Sequence, residues 1–419
     1  MIKIKPEYFG RAASVCHMCK SGNLTQVLDL GMHPHSDDFL SEDRLSDVEH
    51  VFPLRLVSCG ECGLLQIDYF VNPEILYRTN YIYESSITAS GVSHYKNMAA
   101  TIAGRFSFKQ SSLAVDIGSN VGVLLSGFKE NGFSVLGIDP AETVAQKAID
   151  NGIETVIDFF QKEVAEAIVK NKGKAKVVTG TNVFAHLHDI DSATKGISVL
   201  LDDDGVLVIE APYAVDFIKK VEYDTIYHQH IGYLSVRPMA SYFERFDLEL
   251  FDVERNDIHG GTLRYYVGHK GAHTVTNHVA KFMEDEEVFG VYDRSRLQKF
   301  AKDVHLQRSQ LRTLLDSLKG EGKTVVGISA PAKGNTLLNF CGIDGYYLDF
   351  ITEKSDLKKG LFTPGTHIPI YDDCKLLEVQ PDYAIILAWN FADEIMKNLS
   401  EYSKKGGKFI IPIPYPEIK

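Results

Sequence analysis

The chain has 419 residues, 44% of them hydrophobic and 24% charged, with a mean hydropathy of −0.10. At about 150 residues per domain that length suits about three domains, and the composition excludes disorder, a collagen-like repeat and a low-complexity fibre. A net charge of −12 argues against nonspecific nucleic-acid binding, which needs a basic footprint. No apolar run approaches the ~20 residues of a membrane helix.

The opening Met1-Ile-Lys-Ile-Lys-Pro6 has no apolar core of a secretion signal, so a cytoplasmic location is expected. Four of the six cysteines fall in the first 62 residues as two pairs, Cys16-His17-Met18-Cys19 and Cys59-Gly60-Glu61-Cys62. Each pair is followed by a small-residue turn, so four thiolates can converge tetrahedrally on one ion. Soft sulfur ligands and tetrahedral geometry select zinc, and a closed four-sulfur site has no open position for chemistry, which makes the site structural. The competing reading is four free thiols in a reducing cytosol. The 39 residues between the pairs must carry structure of their own, with strands expected at Leu28–Leu30 and Val51–Val57. A zinc-binding unit is therefore placed at residues 1–75. His33 and His35 are expected at the surface, because four cysteines already complete the site.

Tyr69, Tyr77, Tyr81, Tyr83 and Tyr95 follow, and Tyr81–Ser86 reads as an irregular aromatic connector. Beyond it, Leu113-Ala-Val-Asp116-Ile-Gly118-Ser-Asn-Val-Gly122 predicts a buried strand, a glycine turn and a helix through Val123, Leu124 and Phe128. Gly118 and Gly122 let the backbone pass close to a ligand at a helix N-terminus. A second strand, Phe133–Ile138, ends in Asp139, placed to accept both hydroxyls of a ribose. The order Asp-x-Gly-x-x-x-Gly with an acid closing strand two resembles class I S-adenosylmethionine methyltransferases. A structural glycine turn and a dehydrogenase are the alternatives. Strands are also expected at Glu154–Ile157, Lys176–Val178 and Gly205–Glu210. The methyltransferase resemblance implies that Asp158 reaches the adenine amino group and that Phe159 lies against the ring. Asn182 and His186 follow strand four, at the carboxyl edge where such sheets bind ligands. His186 and His188 could form a metal pair; one ligand-facing histidine and one solvated histidine is the favoured arrangement.

After strand five comes Tyr223-Asp-Thr-Ile-Tyr227-His228-Gln229-His230-Ile-Gly-Tyr233. One reading is a polar loop whose histidines cap carbonyls. The other is a general base beside phenolic donors, suited to removing a proton next to a carbonyl. Acidic Glu284–Glu287 is expected to be a solvated helix face. A helix is predicted over Asp293–Leu318 from apolar residues at spacings of three and four, with Gly320 as its cap. Thr324–Ser329, a small-residue turn and a helix through Thr336 to Leu338 form another anion-binding arrangement, in which Lys333 is a candidate phosphate or sugar contact. Strands are expected at Tyr347–Ile351, Tyr383–Leu387 and Phe409–Ile411, with Pro412 and Pro414 ending the pairing. These make a second Rossmann-like unit without an acid-terminated second strand.

Asn182-Val-Phe-Ala-His186, Asp224-Thr-Ile-Tyr-His-x-His230, His259-Gly-Gly-Thr-Leu-Arg264 and Ala330-Pro-Ala-Lys-Gly-Asn-Thr336 together resemble the sugar C-methyltransferases of deoxysugar biosynthesis. The resemblance covers essentially the whole chain. It implies an α/β protein of three parts: the four-cysteine zinc unit (1–75), a class I S-adenosylmethionine methyltransferase core (76–290) and a second Rossmann-like, substrate-side unit (291–419). It implies methylation of a carbon, C3 above all, of a nucleotide-linked 4-keto-6-deoxysugar. On the same basis the cofactor is held by Asp116, Gly118, Gly122, Asp139, Asp158, Phe159 and Tyr81. His230 is the base, Tyr227 sits by the keto oxygen, and Asn182, His186, His259, Lys333 and Asn335 lie on the substrate side. Family members carry glutamate where this chain has Gln229, and an amide neither takes a proton nor stabilises a cation as a carboxylate does. A sugar O-methyltransferase is therefore the nearest alternative. A zinc-ribbon RNA methyltransferase and a noncatalytic scaffold are the more distant ones. The oligomeric state is left open, with a monomer compatible.

Overall fold

The computed structural model describes residues 9–78, 81–256 and 261–419, arranged around four sheets. Near the N-terminus, β1 (Gly10–Ala12) pairs with β5 (Tyr69–Val71), and between them lie β2 (Leu24–Pro34), β3 (Val51–Cys59) and β4 (Leu65–Ile67). Leu28 of β2 stands opposite Leu56, which stands opposite Ile67 of β4, so alternate side chains make one buried face. Both predicted strands are present and extend beyond their expected ends. His33 and His35 are not at the surface: His33 is buried, its Nε2 3.0 Å from the Leu30 carbonyl, and the Nε2 of His35 is buried without a hydrogen-bond partner among the described residues.

The tyrosine-rich stretch contains more helix than the irregular connector suggests. Residues 81–86 are irregular, but Ala89–Phe106 is an 18-residue helix capped by Thr88, whose Oγ1 accepts from Gly91 N at 3.2 Å. Tyr95, Met98, Ala99 and Ile102 form its buried stripe.

The central sheet runs β12-β13-β10-β9-β6-β7-β8. Its parallel strands are β6 (Leu113–Ile117), β7 (Ser134–Ile138), β8 (Thr155–Val156), β9 (Ala175–Thr181) and β10 (Leu201–Pro212). After β11 (Gly232–Tyr233), an antiparallel hairpin of β12 (Leu248–Asn256) and β13 (Thr262–His269) joins through β13 to β10. β6 is buried at all five positions because both sheet faces are covered. Ala114, Val177, Val206 and Val208 pack toward the helices at 89–106 and 123–130. Their neighbours Val115, Val178, Leu207 and Ile209 pack toward Ala165, Ile168, Ile197 and Leu200 on the other face. β11 instead pairs with β4, extending the N-terminal sheet into the order β11-β4-β3-β2.

Glu284–Glu287 is not simply a solvated face. Glu286 is fully buried and accepts from Val236 N at 2.6 Å and Arg237 N at 3.2 Å, capping the helix Val236–Glu244. An acid there satisfies amides that would otherwise be orphaned.

The last sheet has the order β16-β15-β14-β17-β18-β19. Its strands are β14 (Val325–Ile328), β15 (Ile351–Glu353), β16 (Ile370–Asp372), β17 (Tyr383–Ile386), β18 (Lys408–Ile411) and β19 (Glu417–Ile418). The helix preceding it spans Arg294–Gly320, and the residue that turns left-handed after it is Gly322, at φ 73°, rather than Gly320. The second strand starts only at Ile351, because the amides of Tyr347 and Leu348 turn back onto the Asp344 carbonyl. This shift means that the strand does end in an acid. Glu353 accepts from the amides of Ala330 (2.7 Å), Lys354 (2.7 Å) and Ser355 (2.9 Å), so its carboxylate organises the β14 turn. Pairing does not stop at the prolines either: β19 returns antiparallel to β18.

One apolar cluster runs through several of these sheets. It joins Leu28, Leu54 and Ile67 to Ile226, Ile231 and Tyr233, and on to Phe300, Leu337 and Leu338. The segment 225–233 is the joint.

Candidate functional site

The four paired cysteines converge. Their sulfurs all lie within 4.8 Å of one another, with Cys16–Cys62 at 3.6 Å and Cys19–Cys59 at 3.5 Å. Four thiolates at ~2.3 Å from one zinc ion stand about 3.8 Å apart, so the donor set fits the metal. Two hairpins hold them: Cys16 N donates to Ser21 O at 2.8 Å, and Cys59 N to Leu64 O at 2.9 Å. Gly63, at φ 86°, makes the second turn possible. His17 is not a fifth ligand, since its Nε2 lies 2.8 Å from the Leu187 carbonyl.

The glycine turn follows β6. Gly118 has φ 69°, and a Cβ there would stand 2.3 Å from Val183 Cγ2. Only glycine fits that position. Asp116 is buried, its Oδ1 accepts from Thr179 Oγ1 at 2.6 Å, and burial pushes its carboxyl up to about 7. Asp139 ends β7 and accepts one amide on each oxygen, Asn120 N at 2.8 Å and Ala141 N at 2.9 Å. Burial raises it to about 6. Each oxygen keeps a lone pair for one further donor. Asn120 in turn ties down the tyrosine connector, donating to Tyr83 O at 3.0 Å and accepting from Ser85 N at 2.9 Å. Tyr81 packs against the cluster of Val121, Ala141 and Val144, so the connector, the Gly118–Gly122 turn and the Asp139 loop meet there. Asp158 is exposed and accepts from Phe159 N at 2.8 Å and Arg78 at 3.2 Å; the guanidinium lies 5.1 Å over the Phe159 ring.

Across the carboxyl edge of the sheet, Asn182 is left-handed at φ 54° and donates its amide to Glu210 O at 2.8 Å. A small cavity of about 20 Å³ is lined by Asn182, His186, Tyr213, Thr225, His230 and Tyr233 among others. Here the loop histidine is held by two contacts. The Nδ1 of His230 lies 2.8 Å from the Thr225 carbonyl, which can only accept, so the proton sits on Nδ1. Nε2 is then a free acceptor, 2.6 Å from the Tyr227 hydroxyl. Burial, above all, lowers His230 to about 4, so its imidazole is neutral at pH 7. The His186 ring lies 4.8 Å from it and is also held neutral by burial. His188 is not solvated: it bonds the Val71 carbonyl at 2.7 Å.

The remaining residues singled out in the sequence are placed differently. Gln229 is buried and turned away from the cavity, donating to Asp37 Oδ2 at 2.8 Å. Asn335 spends its amide on Ser36 O at 2.7 Å. The Lys333 ammonium lies 4.1 Å over the Trp389 ring and bonds Asn390, with the carboxylates of Asp224 and Glu222 nearby. His259 lies outside the described residues.

Two groups escaped the sequence reading. Glu210 is buried at the end of β10, 2.5 Å from His94 and 2.7 Å from Arg264 Nη2. No local pattern links these residues, since they come from a helix and two strands. Asp37 is the other, an acid lost among the polar residues of the sequence His33–Asp38.

Three family models match consecutive stretches of the chain. They are a zinc binding domain at residues 16–77, a methyltransferase domain at 94–253 and a C-methyltransferase C-terminal domain at 257–414. The C-methyltransferase NovU of Streptomyces niveus is 34% identical over 409 residues, covering 97% of this chain and 97% of the relative. A shorter match, 27% identical over 95 residues, joins 22% of this chain to 39% of the ubiquinone biosynthesis O-methyltransferase of Escherichia coli O139:H28. Among solved structures, the magnesium protoporphyrin IX methyltransferase of Synechocystis PCC 6803 with bound SAH overlays at a TM-score of 0.33 and 12% identity. The overlay covers 43% of this chain and 83% of that one.

Proposed function

This chain belongs to the C-methyltransferase family and is an S-adenosylmethionine-dependent enzyme, and from that premise we propose that it methylates a carbon, C3, of a nucleotide-linked 4-keto-6-deoxysugar. The observation that carries the proposal is the Tyr227–His230 hydrogen bond, in which His230 lines the cavity and has its tautomer fixed by Thr225. When bound, S-adenosylmethionine supplies an electrophilic methyl, so the protein's task is to make a carbon nucleophile.

His230 takes the proton from the carbon next to the ketone at Nε2, and the C–H electron pair passes into the enolate. Tyr227, displaced from Nε2 by the substrate, donates to the enolate oxygen. A base lowered to about 4 is always unprotonated at neutral pH, and the Thr225 carbonyl holds the Nδ1 proton of the imidazolium that forms. Asp139 accepts the ribose hydroxyls, Gly118 and Gly122 admit the cofactor backbone-close, and Tyr81, Asp158 and Phe159 enclose the adenosyl end. Asp116 supports the turn from β6. Asn182 and His186 line the sugar side. The cysteines hold a structural zinc, and the parts divide near residues 75 and 290. A cytoplasmic site of action accords with a nucleotide-linked substrate. No described helix is long and apolar enough to cross a membrane.

The test is transfer of labelled methyl from S-adenosylmethionine to a panel of nucleotide-linked 4-ketosugars, with the label then located by NMR. Label on C3, together with exchange of the C3 proton in deuterated water without cofactor, is the expected result. Label on an oxygen without exchange would establish O-methylation in its place.

A further inference from the structure

Asp37 is a carboxylate with 8% of its surface exposed, and among the described residues it forms no ion pair. Its carboxylate accepts from Gln229, whose Nε2 donates to Oδ2 at 2.8 Å. Gln229 is 2% exposed and accepts from Ser36 Oγ at 3.4 Å, so the two residues grip each other over a separation of 192 positions. The loop bearing Asp37 is fixed from the other side too. Asn335 Nδ2 donates to Ser36 O at 2.7 Å, and Leu40 exchanges both backbone bonds with Phe362, at 2.9 and 2.8 Å. The catalytic loop is tied to the same helix, because Thr336 Oγ1 donates to Ile226 O at 2.9 Å.

A buried carboxylate is costly without a cation, and structures seldom keep one idle. The titratable groups that feel its charge are the phenols of Tyr77, Tyr81, Tyr83 and Tyr227 and the imidazoles of His35 and His230. Burial keeps all four phenols protonated, so they gain no charge for Asp37 to balance. His230 is the group that becomes cationic during turnover. Around it also stand Tyr233 and the neutral His186, while the Lys333 ammonium opposes the charge it acquires. Gln229 immediately precedes His230 in the chain, so the amide that fixes Asp37 also fixes its position relative to the base.

We propose that Asp37, delivered from the zinc-bearing N-terminal sheet and oriented by Gln229, is the carboxylate that stabilises the His230 imidazolium formed when the substrate proton is taken. This rests on His230 being the base. Asp37 is thus a positioning and electrostatic residue. The four-cysteine region then contributes to the chemistry through the loop after β2.

The test uses the full-length, zinc-loaded protein with Asp37→Asn, Asp37→Glu and Gln229→Leu. For each, exchange of the ketosugar C3 proton in deuterated water, kcat, KM, cofactor affinity, zinc content and Tm are measured. Asp37→Asn is expected to slow exchange and kcat by about 10- to 100-fold with KM and cofactor affinity unchanged, since stabilising a developing charge acts on the chemical step. Asp37→Glu restores part of the loss, and Gln229→Leu causes a smaller loss of the same kind. Wild-type exchange with an unaltered rate in Asp37→Asn overturns this inference alone, as does a loss confined to KM or Tm. If Asp37→Asn does not fold, the same readings on the other two variants decide. Absence of exchange by the wild type on every ketosugar overturns the base assignment, and this inference with it.

Discussion

The carboxylate that ends β7 gives the cofactor site a pH dependence that can be worked out from its bonds. Asp139 holds one backbone amide on each oxygen and, in the proposed role, offers the remaining lone pairs to two ribose hydroxyls. Only the ionised form can accept on both sides, while burial raises its folded pKa to about 6. In the free protein the carboxyl is therefore half protonated near pH 6, and binding must expel that proton. The apparent Kd for S-adenosylmethionine scales as 1 + 10^(6−pH), so it is near its floor at pH 8, about twofold weaker at pH 6 and about tenfold weaker at pH 5. Titration calorimetry in two buffers of different ionisation enthalpy should show release of about half a proton at pH 6 and essentially none at pH 8. Asp139→Asn removes the dependence and loses two charge-assisted hydrogen bonds at ~1.5 kcal/mol each, a weakening of roughly 100-fold. A Kd that is flat from pH 5 to 8, or an Asp139→Asn protein with wild-type affinity, would refute this account of the site.

Three other perturbations follow from the geometry. Cys16→Ser, or extraction of the metal by a chelator, removes a binding contribution of ~10–16 kcal/mol. Hydrogen exchange should then rise across β2 and β3 as metal analysis shows the zinc gone; unchanged protection would mean that the cysteines do not hold a structural ion. Gly118→Ala forces a left-handed alanine at φ 69° with its Cβ 2.3 Å from Val183 Cγ2. At least a tenfold loss of cofactor affinity by calorimetry is expected, because ~1–2 kcal/mol of backbone strain precedes any movement of Val183. Among the described residues, Arg264→Ala leaves Glu210 buried with His94 and Asn256 as its side-chain partners, at a cost of about 3–5 kcal/mol in urea unfolding. A loss below 1 kcal/mol would show that His94 and Asn256 suffice.

What was legible in the sequence is what is encoded locally. The two cysteine pairs each close a short hairpin, and Asp116-Ile-Gly118 through Gly122 is one strand, one turn and one helix start. Both are readable because every interaction they need lies within a few residues. The helix at 89–106 carried its signal too, Tyr95, Met98, Ala99 and Ile102 at helical spacing, but the surrounding tyrosines obscured it. The β12–β13 hairpin was hidden because Thr262–Arg264 read as part of a motif block; its pairing with β12 on one side and with Glu210 and Ala211 of β10 on the other makes it a strand. The boundary at Ile351 was likewise unreadable, since Leu348 and Phe350 are as apolar as the strand itself. What starts the strand is registration of Ile351 with Gly327.

The site beyond the cofactor turn is where local encoding ends. His33 and His35 read as surface residues because nothing near them in sequence announces the distant loop whose Tyr227 and His228 line one pocket with His33. Gln229 read as a weakened catalytic residue because its neighbour is His230, although its amide points to a carboxylate 192 positions away. That placement also answers the chemical difficulty the residue raised. A glutamate at 229 would set two carboxylates within hydrogen-bonding distance of each other, whereas an amide donates to Asp37 and leaves its charge intact. The pairing of β4 with β11 and the shared apolar cluster through Ile67, Ile231 and Leu338 keep the two loops in register. An exchange at 229 is therefore interpretable only together with the residue at 37, because the two side chains are bonded to each other.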